Sequence, residues 1–377
     1  MKILFCSPNP FDSKLGAARV LLGVSEELTR LGWACTLVGP SDLGLRVRGP
    51  SEDPLGYADA LKAYLKAQAD AYDIVEYDHG HLPFARSEFP LRPLFVARSV
   101  LLAHHFLVTP VPISGRRLLY YWLRGDDPLK ETNEVVDRAH KTLEQADLIH
   151  VSNSEDVRVL AEMGIASDKI MMLPFGLGES LHRTLMAQKP HFSKTPKIIS
   201  IGTFDRRKGA ADLPKLFEDL RVQIPGVSFR LLGTGRTSEN VKNAFSHSVQ
   251  KVLEVIPTYD EKELPQWVED GTLGVFPSYI EGFGIGAAEM MAAGLPVVAY
   301  RSPGPLDFVP EEWLVQRGNW EDMSLRVMSL SHAPALWEQA HREVRQKALA
   351  FRWSQIAEAT ARQYTDAIAR RSHAHKK

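Results

Sequence analysis

Residues 275–299 read VFPSYIEGFGIGAAEMMAAGLPVVA, and the pattern of the sequence changes several times within them. An apolar run of strand length ends at Phe276, a glycine-rich segment follows, an Ala/Met-rich segment comes next, and a second apolar run begins at Pro296. Short buried strands that alternate with helices are typical of parallel α/β layers. The stretch therefore predicts a strand, a glycine loop, a helix and a second strand of one parallel sheet.

Two carboxylates lie in this stretch, Glu281 in the loop and Glu289 in the helix, with seven residues between them. Glycines allow backbone N–H groups to approach a ligand, and the following helix N-terminus adds a partial positive charge that suits a phosphate or a sugar oxygen. Carboxylates accept hydrogen bonds from vicinal hydroxyls on a sugar ring or a ribose. Each residue alone fits an ordinary loop or helix surface, whereas together they favour a binding site.

A second cluster lies in residues 198–217, IISIGTFDRRKGAADLPKLF, where a strand-like run leads into a glycine and then a cationic loop. The cations are Arg206, Arg207 and Lys208. Fixed cations at a strand end can stabilise the negative charge that develops on a phosphate group without a metal. The pattern favours such a role, and a solvated basic loop is the alternative.

The α/β pattern occurs twice along the chain, and the two runs are separated by a polar segment with two prolines. A chain of 377 residues also exceeds what one hydrophobic core usually organises. We therefore predict two doubly wound domains, which bind ligands at the carboxyl ends of their strands. The predicted parts are an N-terminal domain over 1–180, a linker over 181–196, a C-terminal domain over 197–350, a helix over 351–371 that packs back on the N-terminal domain, and a disordered tail over 372–377.

Taken together, the two blocks resemble the Glu-x7-Glu motif and the Lys-Gly loop of family 4 retaining GT-B glycosyltransferases. The match extends over Pro277, Ser278, Gly282, Phe283, Gly284, Gly294, Pro296, Lys208 and Gly209. This resemblance implies an α/β GT-B fold, in which two Rossmann-like domains face each other across a cleft. It also implies a retaining, metal-independent, hexosyltransferase-like enzyme that takes a nucleotide-diphosphate sugar as co-substrate and needs no other cofactor.

By the same resemblance, Glu281 lies near the transferred sugar and the leaving phosphate, with Lys208 and Arg207 as its catalytic companions. Glu289 holds the donor ribose. The other donor-binding candidates are Phe283 and Gly284 through their backbone, Gly282, Thr203, Arg206 and Gly16. Family members usually carry an arginine where this chain has Thr203, so Arg206 or Arg207 is expected to supply the second cation.

The first half of the chain offers fewer candidates. Residues 8–28 place Gly16 in a turn that opens an amphipathic helix, so the backbone can approach a ligand there. His79 follows a strand-like run. Family members often carry a histidine near the sugar in the region of ARSVLLAHH, but this chain has Val100 at the expected place, so His104 is the substitute candidate. We take both as acceptor or sugar contacts, with ordinary structural histidines as the alternative. No Asp, Glu or Cys pattern supplies further metal ligands, so no metal site is expected.

Residues 115–124, GRRLLYYWLR, combine three arginines with Tyr120, Tyr121 and Trp122. Such a segment suits a membrane interface or an anionic lipid-linked acceptor, and an aromatic helix packed on its own domain is the alternative. The formal net charge of −1 argues against a nucleic-acid binder. Two cysteines in apolar runs favour reduced thiols, and hence a cytoplasmic protein, with peripheral contact to the inner membrane face as an option.

The sequence leaves two other functions open. A sugar-nucleotide epimerase of similar fold would use the same donor but isomerise it. A nonenzymatic protein that binds a nucleotide sugar or a carbohydrate would retain the fold without turnover. The preferred hypothesis is transfer of a sugar to a glycan, lipid-linked or small-molecule acceptor, because Glu281, Glu289 and Lys208 are all present.

Overall fold

A computed structural model describes residues 1–12, 16–46, 54–109, 111 and 129–374 of the chain. The chain divides into two compact units. Within the described residues, the first unit comprises residues 1–12, 16–46, 54–108, 129–176 and 353–374, and the second comprises residues 109, 111 and 177–352. The C-terminal segment thus belongs to the same unit as the N-terminus.

The described part of the first unit contains a six-stranded parallel sheet in the order β2-β1-β3-β4-β5-β6. Its strands are β1 Lys2–Cys6, β2 Ala34–Val38, β3 Ile74–Asp78, β4 Leu94–Arg98, β5 Leu148–Val151 and β6 Ile170–Met172. Its helices are α1 Gly16–Arg30, α2 Pro54–Gln68, α3 His105–Val108, α4 Lys130–Gln145, α5 Ser154–Glu162 and α15 Trp353–Ala374. Central strands such as β1 and β4 are almost continuously apolar because helices cover both of their faces.

The C-terminal helix α15 packs against α1. On α1, Val20, Val24 and Leu28 are buried at a spacing of four residues, which places them on one face of the helix. From α15, Tyr364 is fully buried and its hydroxyl donates to Glu76 in β3. The helix is therefore fixed to the first unit by both apolar packing and a buried hydrogen bond.

Glu76 also forms an ion pair with Arg98, and no pattern in the sequence predicts this contact. Arg98 Nε lies 2.6 Å from Glu76 Oε1, and its Nη2 donates to Glu76 Oε2 at 2.9 Å. Both side chains are buried, and burial raises the pKa of Glu76 while Arg98 acts in the opposite direction. A buried carboxylate persists only with such partners, because an isolated buried charge is very costly.

The described part of the second unit contains another six-stranded parallel sheet, in the order β12-β11-β10-β7-β8-β9. Its strands are β7 Lys197–Ile201, β8 Ser228–Leu232, β9 Leu253–Ile256, β10 Leu273–Phe276, β11 Val297–Tyr300 and β12 Leu314–Val315. Its helices are α6 Glu179–Met186, α7 Leu213–Gln223, α8 Ser238–Lys242, α9 His247–Gln250, α10 Leu264–Val268, α11 Ile285–Ala292, α12 Pro305–Phe308, α13 Trp320–His332 and α14 Pro334–Ala348. The predicted fold class, two doubly wound parallel α/β units, is confirmed.

Two details of the predicted domain layout differ from the structure. The segment 181–196, taken as a linker, begins inside helix α6, where Leu181 and Leu185 are buried in the second unit. Two apolar residues four apart lie on one face of a helix and can bury it. In this segment they are surrounded by polar residues, so the sequence pattern indicates a linker instead of a helix. The segment 372–377, taken as a disordered tail, begins inside α15, which runs to Ala374, and residues 375–377 lie outside the described range.

Candidate functional site

The glutamate loop, residues 277–284, connects β10 to α11 and contains neither helix nor strand. It ends at Gly284, whose φ of 92° lies in the left-handed region that favours glycine. Two residues later, a Cβ atom on Gly286 would lie 2.7 Å from the Ile201 carbonyl oxygen. The first turn of α11 can therefore pack closely on the end of β7 only because a glycine stands there.

The cationic loop, residues 202–212, connects β7 to α7 and contains a short 3-10 turn over Arg206–Lys208. Asp205 caps this turn, since its side chain accepts a hydrogen bond of 3.1 Å from the Lys208 backbone N–H. The Thr203 hydroxyl in turn donates to Asp205 Oδ2 at 2.5 Å. These contacts fix the backbone from which the Lys208 side chain extends.

Lys208 and Glu281 form the central contact of the site, because the Lys208 ammonium donates directly to Glu281 Oε1. The two loops meet because β7 and β10 are neighbours in the sheet. The side chains are only 18% and 8% exposed. Burial lowers the pKa of Lys208, and Glu281 partly offsets this effect by favouring the charged amine. A cation is thus held in a largely desolvated position beside a carboxylate.

Arg207 is the second cation near Glu281. Its Nη1 lies 4.0 Å from Glu281 Oε1 and donates to the Ile280 carbonyl at 3.0 Å. Arg206, in contrast, is exposed. Of the two arginines that the sequence left as alternatives, the structure places Arg207 beside the carboxylate.

A small pocket opens at the carboxyl ends of β7 and β10. Lys208 lines it together with four hydroxyl side chains, those of Ser200, Thr203, Thr234 and Ser278. Hydroxyls and an ammonium are donors for oxyanions, and strand ends are where doubly wound units bind their ligands. The pocket therefore brings an ammonium and hydroxyls together at the strand ends, and Thr203 is among the residues that line it.

The remaining candidates of the second unit lie around the glutamate loop. Glu289 is buried in the second turn of α11. The Phe283 ring packs against Phe308 and Phe351, with ring centroids 5.1 and 5.8 Å apart. Because this ring is committed to an aromatic cluster, Phe283 and its neighbour Gly282 can serve a ligand through their backbone.

In the first unit, helix α1 begins at Gly16. His79 is buried, and its Nε2 accepts a hydrogen bond of 3.2 Å from the Ala103 backbone N–H. His104 is half-buried, and burial lowers its pKa to about 4, with smaller contributions from His79, His140 and His105. The structure thus gives His79 a structural contact and keeps His104 neutral near neutral pH.

Sequence reasoning missed several residues that organise these sites. His105, next to the candidate His104, lies with its Nε2 at 2.6 Å from Asp156 Oδ1 in the interior. Asp212 and Tyr279 join the two loops of the second unit by a hydrogen bond of 2.6 Å. An aspartate directly before a helix is a common cap, so its position alone gave no sign of this contact.

Two further expectations concern metals and membranes. Among the described residues, no group of three or more His, Cys, Asp or Glu side chains is arranged to hold a metal ion. No helix within the same residues is long and apolar enough to cross a bilayer. The segment 115–124, for which a membrane interface, an anionic lipid-linked acceptor and packing on its own domain are the alternatives, lies outside the described residues.

Comparison with known proteins finds a family match within the second unit. Residues 182–348 match the profile of the family described as Glycosyl transferases group 1. A D-inositol 3-phosphate glycosyltransferase of Pseudarthrobacter chlorophenolicus is 28% identical over 191 residues, which are 48% of this chain and 45% of that protein. The matched regions span less than half of the length of the first curated relatives.

Solved structures show the same fold over nearly the whole chain. Sucrose-phosphate synthase from Thermosynechococcus elongatus has a TM-score of 0.75 and 19% identity, and covers 98% of this chain and 99% of its own. Anabaena HepE in complex with UDP and glucose has a TM-score of 0.66 and 16% identity, and covers 97% and 100%. At such identities the likeness concerns the fold.

Proposed function

We propose that this protein transfers a sugar from a nucleotide-diphosphate sugar to an acceptor hydroxyl with retention of configuration, because residues 182–348 match the profile of the glycosyl transferases group 1 family. One observation supports this proposal most directly. Lys208 and Glu281 make a largely buried ion pair beside a hydroxyl-lined pocket at the strand ends. A fixed cation and a carboxylate are the groups needed for a leaving diphosphate and a reacting sugar.

The second unit supplies the donor site in this proposal. Lys208 and Arg207 stabilise the charge that develops on the diphosphate as the sugar leaves, while the N-terminus of α11 adds its partial positive charge. Glu289 accepts hydrogen bonds from the donor ribose, and the backbone of Phe283 and Gly284 contacts the donor. These cations take the electrostatic role of a metal, so transfer is metal-independent.

Glu281 acts beside the transferred sugar. Its carboxylate keeps Lys208 charged against the effect of burial, and its second oxygen is available for a sugar hydroxyl as the reaction proceeds. Retention follows from attack on the face from which the diphosphate leaves, with a phosphate oxygen taking the acceptor proton. In this route no side chain forms a covalent bond to the sugar.

The first unit binds the acceptor, a glycan, a lipid-linked sugar or a small molecule. His104 is the candidate contact, since a neutral imidazole both donates and accepts a hydrogen bond with a hydroxyl. A cytoplasmic protein that meets a lipid-linked acceptor at the inner membrane face would use 115–124. The exposed side chains of Phe106, Leu107 and Val108, which come shortly before that segment, support this placement.

The experiment that tests the proposal starts with a panel of UDP-, ADP- and GDP-sugars. A true donor should raise the apparent unfolding temperature, because saturation at about 100 Kd adds roughly 2.7 kcal/mol of stability. The stabilising sugar is then incubated with glycan and lipid-linked acceptors, and NMR determines the anomeric configuration of the product. An inverted product contradicts retention. An isomerised donor without a product identifies an epimerase, and binding without any turnover identifies a binding protein.

A further inference from the structure

Tyr279 connects the glutamate loop to the cationic loop by two hydrogen bonds. Its backbone N–H donates to the Arg207 carbonyl at 2.8 Å, and its hydroxyl donates to Asp212 Oδ2 at 2.6 Å. Glu281 lies two residues after Tyr279, and Lys208 lies between the two residues to which Tyr279 donates. Tyr279 therefore joins the two loops that carry the ion pair, through its backbone and through its side chain.

Asp212 occupies the N-cap position of α7, yet its side chain makes no cap hydrogen bond. Its carboxylate is buried and accepts the hydroxyls of Tyr279, at 2.6 Å, and Tyr300, at 3.0 Å. Burial is the larger cause, and the hydrogen bond to Asp212 the smaller, of a raised pKa of the Tyr279 hydroxyl. The hydroxyl therefore stays protonated and donates. Because the Asp212 carboxylate is buried and does not cap its helix, it needs the two tyrosine hydroxyls as donors. An unsatisfied buried carboxylate is costly.

The glutamate loop depends on such contacts for its position. It contains no helix or strand, so no ladder of backbone hydrogen bonds fixes Glu281 relative to Lys208. Arg207 adds one contact, to the Ile280 carbonyl. The Tyr279 hydroxyl adds the contact to a rigid element, because Asp212 opens helix α7.

We propose that Tyr279 is a positioning residue, which through Asp212 holds Glu281 at the separation from Lys208 that sugar transfer requires. This inference rests on the proposed function. Tyr279 touches neither partner of the ion pair with its hydroxyl and acts through the loop that carries Glu281. A displacement of that loop by a fraction of an ångström would misplace the carboxylate against the reacting sugar.

Two matched variants of the full chain test the proposal. Tyr279→Phe and Tyr300→Phe each remove one hydroxyl bonded to the same Asp212 oxygen, but only Tyr279 belongs to the glutamate loop. We expect Tyr279→Phe to lower kcat roughly ten- to a hundredfold with little change in the donor KM, because misplaced reacting groups cost rate more than binding. Tyr300→Phe should change kcat by no more than about twofold while lowering the unfolding temperature to a similar extent.

Hydrogen exchange without any donor supplies a readout that does not depend on turnover. In Tyr279→Phe, the backbone amides of residues 278–284 should exchange faster than in the wild type, and in Tyr300→Phe they should not. Equal effects of the two variants on exchange and kcat, or no effect of Tyr279→Phe on exchange, would overturn the positioning role. A different outcome separates this inference from the proposed function. If only Tyr279→Phe exchanges faster in the glutamate loop but the wild type transfers no sugar, the contact through Tyr279 is supported and the proposed function is refuted.

Discussion

Replacing Lys208 by methionine removes the charge that faces Glu281 and keeps most of the side-chain length. The exposures of 18% and 8% place the pair between a surface ion pair, worth at most about 1 kcal/mol, and a fully buried one, whose disruption costs about 3–5 kcal/mol. Arg207, 4.0 Å from Glu281, compensates part of the lost charge. We therefore expect Lys208→Met to lower the free energy of unfolding by about 2 kcal/mol.

A double-mutant cycle isolates the contact itself. Glu281→Gln leaves the lysine without its carboxylate, whereas the double variant carries neither charge. The double variant should therefore lose about 1–2 kcal/mol less free energy of unfolding than the two single variants lose together. Urea unfolding followed by tryptophan fluorescence measures all four proteins. Lys215→Met is the matched control, because Lys215 is exposed in the same region and its loss should change stability by no more than about 0.5 kcal/mol.

The same variants connect stability to turnover. Lys208→Met should reduce the rate of transfer by about a hundredfold or more, as does removal of a group that stabilises transition-state charge elsewhere. Lys215→Met should leave the rate unchanged. If the two single losses of stability add up to the loss in the double variant within about 0.5 kcal/mol, the contact between Lys208 and Glu281 contributes no coupling energy. A near-normal rate in Lys208→Met would refute the role of Lys208 in transfer.

Three further predictions follow from the site. Glu289→Ala should weaken binding of the free nucleoside diphosphate by about 1.5–3 kcal/mol in calorimetric titration. Glu281→Gln should instead lower turnover with little change in that affinity. Equal weakening of nucleoside-diphosphate binding in the two variants refutes the division of roles. EDTA should leave transfer intact, and loss of transfer with rescue by Mn²⁺ or Mg²⁺ would contradict a metal-free mechanism. His104→Gln should lose less stability than the wild type between about pH 7 and about pH 4.5, by roughly 1–2 kcal/mol after discounting for partial exposure. In the wild type, the pKa of His104 is depressed from its ordinary value of 6.5 to about 4, so this residue contributes stability above about pH 6.5 that is lost as the pH falls toward 4. An equal loss of stability in the two proteins, measured by urea unfolding over this pH range, would contradict the prediction.

Much of the fold could be predicted because its central strands are short apolar runs. The apolar run that ends at Phe276 is predicted as a strand and forms β10, and the strand-like run before the cationic loop forms β7. Burial on both faces of a parallel sheet leaves this signal in the sequence itself. Strand β12 was missed, because Leu314–Val315 is too short to show any period.

Part of the candidate site was also accessible from sequence. The glycine loop and the cationic loop each follow a strand, so their place at strand ends could be predicted from the order of elements alone. The choice between Arg206 and Arg207 could not. It depends on the rotation of one 3-10 turn, which points Arg207 to the Ile280 carbonyl and leaves the preceding Arg206 exposed.

The contact between Tyr279 and Asp212 marks a limit of a different kind. The two residues are 67 positions apart, and each has an ordinary local explanation, a loop aromatic and a helix cap. Only the neighbouring position of β7 and β10 brings them together, and only burial makes the carboxylate prefer phenol hydroxyls to its own helix. Local propensity predicts where a helix begins, whereas the partner of a buried charge is set by the packing of the whole unit.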